Sequence, residues 1–281
     1  MESHFELPVG LIWEGQAVTK LPIAETGGEA EKIFTKKPAS SKLHTWFGQV
    51  ISCAVTHIGN TPISSEFLKP DYDANIVPDA VKALSFIDVG TLMLQIQRTC
   101  WEKTIKDQKL QCVNCGEKLN ADIELDKIPV PVNAEDKPIT EFSIKLSKTY
   151  TINGMVEQMK EYEGQKFNHI KFRVATLGDA IKHQEIARDE ILFWRRIAFD
   201  TIVGFYYQEN DNSPIEEVSE GYLNKRGLKL FNSDFTTSTL KEIRAGLQKT
   251  LPSAKFYYEE ECPMCNKQTP FFASVTNFFS T

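Results

Sequence analysis

Cys112-Val113-Asn114-Cys115-Gly116 and, much later in the chain, Cys262-Pro263-Met264-Cys265 decide how this sequence is read. A two-residue gap lets both thiolates of a tight turn face one metal ion, and the Gly after the first pair and the Pro inside the second suit such turns. Together Cys112, Cys115, Cys262 and Cys265 offer four sulfur ligands, the usual composition of a structural Zn2+ site. An all-thiolate tetrahedron leaves no open position for water or substrate, so the pattern points to architecture rather than catalysis. The other two cysteines, Cys53 and Cys100, stand in apolar segments, where a free thiol behaves as a small buried hydrophobe. Six cysteines so distributed do not read as a disulfide framework, and a reducing compartment keeps them as thiols.

The two pairs lie roughly eight times farther apart than the usual spacing of about 15 to 20 residues. Closing so long a loop through a metal alone costs on the order of 5 kcal/mol of chain entropy. Thiolate zinc sites release roughly 10 to 16 kcal/mol in small peptides, so one shared ion is energetically permitted. The alternative is a pair of knuckles that hold no metal.

Outward from the first pair, Ala121, Ile123 and Leu125 alternate with Asp122, Glu124 and Asp126 across residues 119–128, the pattern of a strand leaving a knuckle. Residues 255–261 and 269–275 predict strands entering and leaving the second. Together with the strand over residues 119–128, a second alternating run of Phe142, Ile144 and Leu146 and then Tyr150 and Ile152 fit a hairpin of about three strands, and residues 167–175 predict another strand. Gly178-Asp179 predicts the start of the longest helix, carrying Ile191, Trp194, Ala198, Ile202 and Phe205 at helical spacing. Residues 209–220 read as an exposed loop, and residues 238–251 as an amphipathic helix ended by Pro252.

Towards the N-terminus, apolar residues on either side of Glu14-Gly15 predict a β-hairpin over residues 7–22. Short helices follow over residues 29–34 and from Trp46 to His57, the second stopped by Gly59-Asn60. A further helix capped by Asp79 turns Val81, Leu84, Ile87, Leu92, Met93 and Ile96 inward, with Gly90 dividing it. The expected fold class is α+β. Residues 1–105 form a helical N-terminal part with a β-hairpin, and residues 106–150 and 253–281 a four-cysteine zinc-ribbon-like part. An α/β insertion over residues 151–252 interrupts the latter.

The 281 residues, 41% hydrophobic and 25% charged, suit a soluble globular chain. A formal net charge of -6, from 38 acidic and 32 basic residues interspersed along the chain, argues against a nucleic-acid-binding surface. The most apolar long stretch, residues 191–207, is interrupted by Arg195, Arg196 and Asp200, so no membrane span is expected. Acidic residues at 2, 6 and 14 break up any secretory signal, which leaves a protein made and kept in a cytosol.

Motifs of catalysis are missing: no phosphate loop, nucleophile elbow or dinucleotide fingerprint occurs. The histidines His4, His44, His57, His169 and His183 show no metalloprotease spacing and read as structural or surface residues. His183, with Glu185 to Glu190 and Arg188, reads as a solvated, salt-bridged helix face. Phe256, Tyr257, Tyr258, Phe271, Phe272, Phe278 and Phe279 gather in sequence around the second cysteine pair, as ribbon packing or, for the last two, as a docking element.

In order, the chain shows a Leu7-Pro8-Val9-Gly10-Leu11 hairpin, a helix ending Ile58-Gly59-Asn60, and Leu84-Ser85-Phe86-Ile87-Asp88 with Leu92 to Ile96. A CxxCG knuckle then runs into the strand Ala121 to Leu125, and CxxC with a Phe-Phe pair closes the series. This series, over most of residues 7–128 and 259–279, resembles the baseplate hub subunits of contractile-tailed, T4-type bacteriophages. The resemblance implies a non-enzymatic virion component, made in the host cytoplasm and built into the tail baseplate. Its partners would be other baseplate and tail subunits, with a homo-oligomer within the baseplate also open. The rival reading is a zinc-ribbon transcription accessory factor associated with nucleic acid.

Overall fold

A computed structural model describes residues 3–36, 38–73, 75–101, 103–133, 135–151, 163–210, 212–220, 237–250, 252 and 257–272. The architecture is mixed α and β, and its contacts group the chain into two units, residues 1–138 with 252–281 and residues 139–251.

The first unit begins with the expected hairpin, β1 (Ser3–Trp13) against β2 (Gln16–Ile23). Glu14 and Gly15 both take positive φ, 49° and 78°, the two left-handed positions that a tight hairpin turn of the twist-matching kind demands. The pairing slips between Glu6 and Leu11, where residues 7–10 of β1 stand against the single residue Thr19 of β2, while Leu7 and Val9 stay fully buried. After α1 (Gly28–Phe34), helix α2 (Leu43–Ala54) puts Trp46, Val50, Ile51 and Ala54 into the same core. The Trp46 indole N–H donates to the Ile33 carbonyl at 2.8 Å and ties α2 to α1.

Helix α2 stops at Ala54, one turn short of His57. Val55 turns extended and bridges Ile23, and the Thr56 amide donates to the Pro22 carbonyl at 3.1 Å. The hairpin thus takes over the backbone that the helix would otherwise use. Gly59-Asn60 is not a helix stop but the turn between the two-residue strands β3 (His57–Ile58) and β4 (Thr61–Pro62), with Gly59 at φ 57°.

The single helix expected after Asp79 is two helices: α4 (Asp79–Lys82), following the short α3 (Ser64–Phe67), and α5 (Phe86–Cys100). Asp79 is the first helical residue of α4, and the break falls before Ser85 rather than at Gly90. The Ser85 side chain accepts the Asp88 amide at 3.0 Å and so restarts the helix. Leu92, Met93 and Ile96 of α5 are buried as expected.

Asp88 is fully buried beneath β1. Its carboxylate accepts the Val9 amide at 2.9 Å and the Gly10 amide at 3.0 Å, the donors released by the slip in β1. Gly10 has φ 72°, and a Cβ there would sit 2.9 Å from the Val18 carbonyl oxygen, so both conformation and space call for glycine. Burial pushes the Asp88 carboxyl up to about 7 against these hydrogen bonds. Burial likewise holds His44, on α2, down to about 4.

Two further hairpins complete this unit: β5 (Thr104–Gln111) with β6 (Lys118–Glu124), and β11 (Tyr257–Glu261) with β12 (Gln268–Phe272). Strand β6 ends at Glu124, and a 3-10 turn over Leu125–Lys127 follows, its Leu125 and Ile128 carbonyls gripped by the Arg98 guanidinium. Ile123 and Leu125 are buried and Asp122, Glu124 and Asp126 exposed, as the alternation predicts. Residues 255–256 and 273–275 of the strands predicted beside the second knuckle lie outside the described residues.

The second unit is a four-stranded antiparallel sheet in the order β10-β9-β8-β7, from β7 (Glu141–Thr151), β8 (Lys166–Arg173), β9 (Ile202–Tyr207) and β10 (Glu216–Glu220). Residues 141–151 form one continuous strand that pairs with β8, in a different sheet from β6; Ile152 lies outside the described residues. Phe142 stacks on Phe172 at 5.6 Å, Tyr150 on Phe167 at 5.6 Å, and Phe167 meets Phe205 edge-on at 4.7 Å.

The long helix predicted from Gly178 is broken. Helix α6 (Leu177–Lys182) starts from a capping box between Thr176 and Asp179, and α7 (Glu190–Thr201) from the Asp189 side chain, which accepts the Leu192 amide at 3.0 Å. Ile202 and Phe205 lie on β9, where β-branched and aromatic residues pair with Phe172 and Ile170 of β8. The predicted loop over residues 209–220 likewise contains β10. Helix α8 (Thr237–Thr250) lies as expected and packs on β7, with Gly246 over Ile144.

His183 therefore lies between α6 and a 3-10 turn rather than on a long helix face, and its Nε2 is 2.8 Å from Asp200 Oδ2. Among the described residues no helix is long and apolar enough to cross a membrane.

Candidate metal centre

Strands β5 and β6 are joined by the first cysteine pair and β11 and β12 by the second, with matching backbone geometry. The last rungs are Gln111 opposite Lys118 and Glu261 opposite Gln268. In the first turn the Cys112 amide donates to the Glu117 carbonyl at 3.0 Å and the Gly116 amide to the Cys112 carbonyl at 2.9 Å. In the second the Cys262 amide donates to Lys267 at 3.0 Å and the Asn266 amide to Cys262 at 2.8 Å. Gly116 at φ 73° and Asn266 at φ 55° hold the same left-handed corner, the conformation that glycine takes freely and asparagine best among the rest. The two turns are the same knuckle built twice.

They bring the four predicted sulfurs together. Cys112 Sγ lies 3.8 Å from Cys265 Sγ, Cys115 Sγ 4.0 Å from Cys262 Sγ, and all four within 4.8 Å of one another. A tetrahedron with metal–sulfur bonds of about 2.3 Å has sulfur–sulfur edges of about 3.8 Å, so the set has the dimensions of a cage for one ion. It is far from disulfide length, at about 2.05 Å. All six cysteines are free, and Cys53 is buried as predicted, while Cys100 is half-buried with its thiol donating to the Ala24 carbonyl at 3.4 Å.

Each knuckle buries its first cysteine, Cys112 or Cys262, and leaves the second nearer to solvent. The Thr269 hydroxyl, 3.2 Å from Cys112 Sγ, together with the Cys115 and Asn114 amides, holds the Cys112 thiol down to about 6. The Glu117 amide favours the Cys115 thiolate, yet desolvation and the three neighbouring sulfurs push that thiol up to about 12. Crowded thiols lose their later protons against accumulating negative charge. A bound divalent cation cancels that repulsion and deprotonates its thiol ligands outright.

Residues 72–280 match the family described as T4 bacteriophage base plate protein, a span that takes in both cysteine pairs and the whole second unit. The chain belongs to this family. No curated protein and no solved structure matches it. It is thus a phage baseplate structural protein, a component of the virion tail whose neighbours are other tail and baseplate proteins. Sequence pattern tied the family to residues 7–128 and 259–279; the match instead begins at residue 72 and includes residues 139–251, the part that the pattern did not reach.

For a baseplate protein the other charged groups read as bracing. Burial raises a carboxyl, yet the Arg173 guanidinium, at 2.6 and 2.7 Å from the two Asp179 oxygens, holds Asp179 below its ordinary value. Asp200 is held down by Lys182 and His183 in the same way, against its own burial. Asp88 was missed in sequence because its partners lie 79 and 78 residues away; the only local signal was Ser85, placed to cap the helix. Phe256, Phe278 and Phe279 lie outside the described residues.

Proposed function

We propose that this baseplate protein is a hub subunit braced by one structural zinc ion on Cys112, Cys115, Cys262 and Cys265. The observation that carries the zinc reading is the sulfur geometry: four thiols from segments distant in sequence, all within 4.8 Å of one another and two pairs at 3.8 and 4.0 Å, near the edge length of a tetrahedral thiolate site, on two matching knuckles. Bound there, zinc would cross-link the chain on either side of residues 139–251, so that a zinc-ribbon-like part is assembled from both segments. Such a closed site offers the ion no vacant coordination position, in keeping with a non-enzymatic role.

The hub assignment draws on the order of elements from the Leu7–Leu11 hairpin to the second CxxC, within a chain of baseplate family. In this reading the protein is made in the host cytoplasm and incorporated through protein–protein contacts, as single copies or as a homo-oligomer, without nucleic acid or stable membrane insertion. The transcription-factor alternative drew only on the four cysteines, and the match to a baseplate family lends it no support.

Elemental analysis of purified protein is expected to give one zinc per chain. Image reconstruction of purified tails is expected to place the subunit at the centre of the baseplate. Metal-free protein of full stability would overturn the zinc reading, and density only at the baseplate periphery would overturn the hub reading.

A further inference from the structure

The two knuckles share a backbone but differ in what their third residue does. In the first, Asn114 reaches across: its Nδ2 donates to the Gln268 carbonyl at 2.9 Å and to Thr269 Oγ1 at 3.0 Å, both on the opposite hairpin. The residue at the same place in the second is Met264, which is 65% exposed. Thr269 is fully buried and lies 3.2 Å from Cys112 Sγ.

The Asn114 end of this chain of contacts has a fixed direction, because its Nδ2 can only donate. The Thr269 hydroxyl has one proton, and its oxygen already accepts from Asn114. That proton can go to the Lys267 carbonyl at 3.4 Å or to Cys112 Sγ, which must be the acceptor once it is a thiolate. Asn114 thus secures the opposite strand and also sets the hydroxyl that faces a sulfur, which accepts its own knuckle's Asn114 amide at 3.4 Å as well. None of these contacts involves a metal.

We propose that Asn114 and Thr269 form a polar bolt that docks the two knuckles before metal arrives, making them positioning residues for the four-sulfur site. The proposal rests on the reading of that site as a metal centre only for its effect on affinity; the docking itself does not. Entropy gives the bolt its purpose. Without it the ion must bring together chain segments separated by a long loop, whereas with it the four sulfurs already lie within 4.8 Å of one another.

The test uses the full chain with Asn114→Ala, Thr269→Val, Thr269→Ser and Met264→Ala. Zinc affinity is measured by competition with a chromogenic chelator. Separately, EDTA-stripped protein is treated with diamide, which accepts two electrons and two protons as two thiols join, and the linked peptides are mapped by mass spectrometry.

Wild type and Met264→Ala are expected to give mainly links between the knuckles, Cys112–Cys265 and Cys115–Cys262. Asn114→Ala and Thr269→Val should shift linkage to within each knuckle and weaken zinc binding by roughly 10- to 100-fold, the usual scale for an outer-shell partner. Thr269→Ser should restore both. If stripped wild type gives only links within knuckles, or if Asn114→Ala behaves like Met264→Ala in both readouts, the bolt is wrong although the zinc reading can stand. Links between the knuckles that depend on Asn114 in a protein that binds no zinc would keep the bolt and remove the zinc reading.

Discussion

Among the described residues, hairpins β5–β6 and β11–β12 meet through four sulfurs and the contacts of Asn114 and Thr269, whereas the sheet of residues 139–251 is held by Phe142, Phe167, Phe172 and Phe205 packed across three neighbouring strands. Two-stranded ribbons cannot bury enough apolar surface to stand alone, so their stability has to come from a cross-link. A four-stranded sheet with a helix across it can bury that surface. The contrast teaches that the paired hairpins and the sheet should respond to different perturbations, one to thiol chemistry and the other to lost volume.

The largest test of that contrast is Cys262→Ser. A closed tetrahedral site cannot lose a thiolate without opening, so most of the metal's binding energy, on the order of 10 kcal/mol in small zinc peptides, should be forfeited. Zinc content should fall and protection of β11 and β12 from amide exchange should be lost, with β7–β9 still protected. Equal loss of protection in both units would show that they depend on one cross-link.

The complementary change is Phe205→Ala, which empties a fully buried site against Phe167 and should cost about 3 to 5 kcal/mol. Denaturant unfolding followed by amide exchange should register the loss in the 139–251 sheet while zinc content stays at the wild-type level. A fall in zinc content would break the proposed independence.

Within the first unit, pH separates two buried groups of opposite sign. Asp88, at about 7 folded against 3.8 as a free group, binds more protons in the native state between roughly pH 4 and 7, so its contribution to stability falls as pH rises through that window. His44, at about 4 against 6.5, binds fewer, so its contribution falls as pH drops from about 6.5 to 4. The two slopes oppose each other. Asp88→Asn should uncover the His44 slope, making stability rise with pH from 4 to 6.5. It should also cost about 1 to 3 kcal/mol, because an amide offers one acceptor oxygen where the Val9 and Gly10 amides need two. Melting temperatures at pH 4.5, 5.5 and 6.5 decide this; an unchanged pH profile would remove Asp88 as a titrating group.

The smallest effect is expected at Gly246→Ala. A Cβ there would lie 2.8 Å from Ile144 Cγ2, costing about 1 to 3 kcal/mol of overpacking, partly offset by roughly 1 kcal/mol of better helix propensity. A net loss near 1 kcal/mol in chemical denaturation supports close packing of α8 on β7, and a gain would show that α8 has room to shift.

Legibility divided along the range of the interactions involved. The four cysteines, their turns and the Glu14-Gly15 hairpin were readable because each is decided within a few residues, by ligand spacing or by backbone handedness. The stretch from Gly178 to Tyr207 was not. Ile202 and Phe205 continue a helical spacing and equally suit a strand, and only pairing with Ile170 and Phe172 of β8 decides between them. Val55 and Thr56 left α2 for the same reason, because β2 offered them partners.

By itself, then, the order of residues determined the four candidate sulfurs, the knuckle turns, the first hairpin and the alternation of the strand that leaves the first knuckle, all of them consequences of local geometry. Only the tertiary structure decided that the two pairs share one site, that Asn114 rather than Met264 crosses between them, and that Asp88 is buried under the bulge of β1. Those outcomes depend on contacts between residues dozens to more than a hundred positions apart, whose energies no local pattern of residues records.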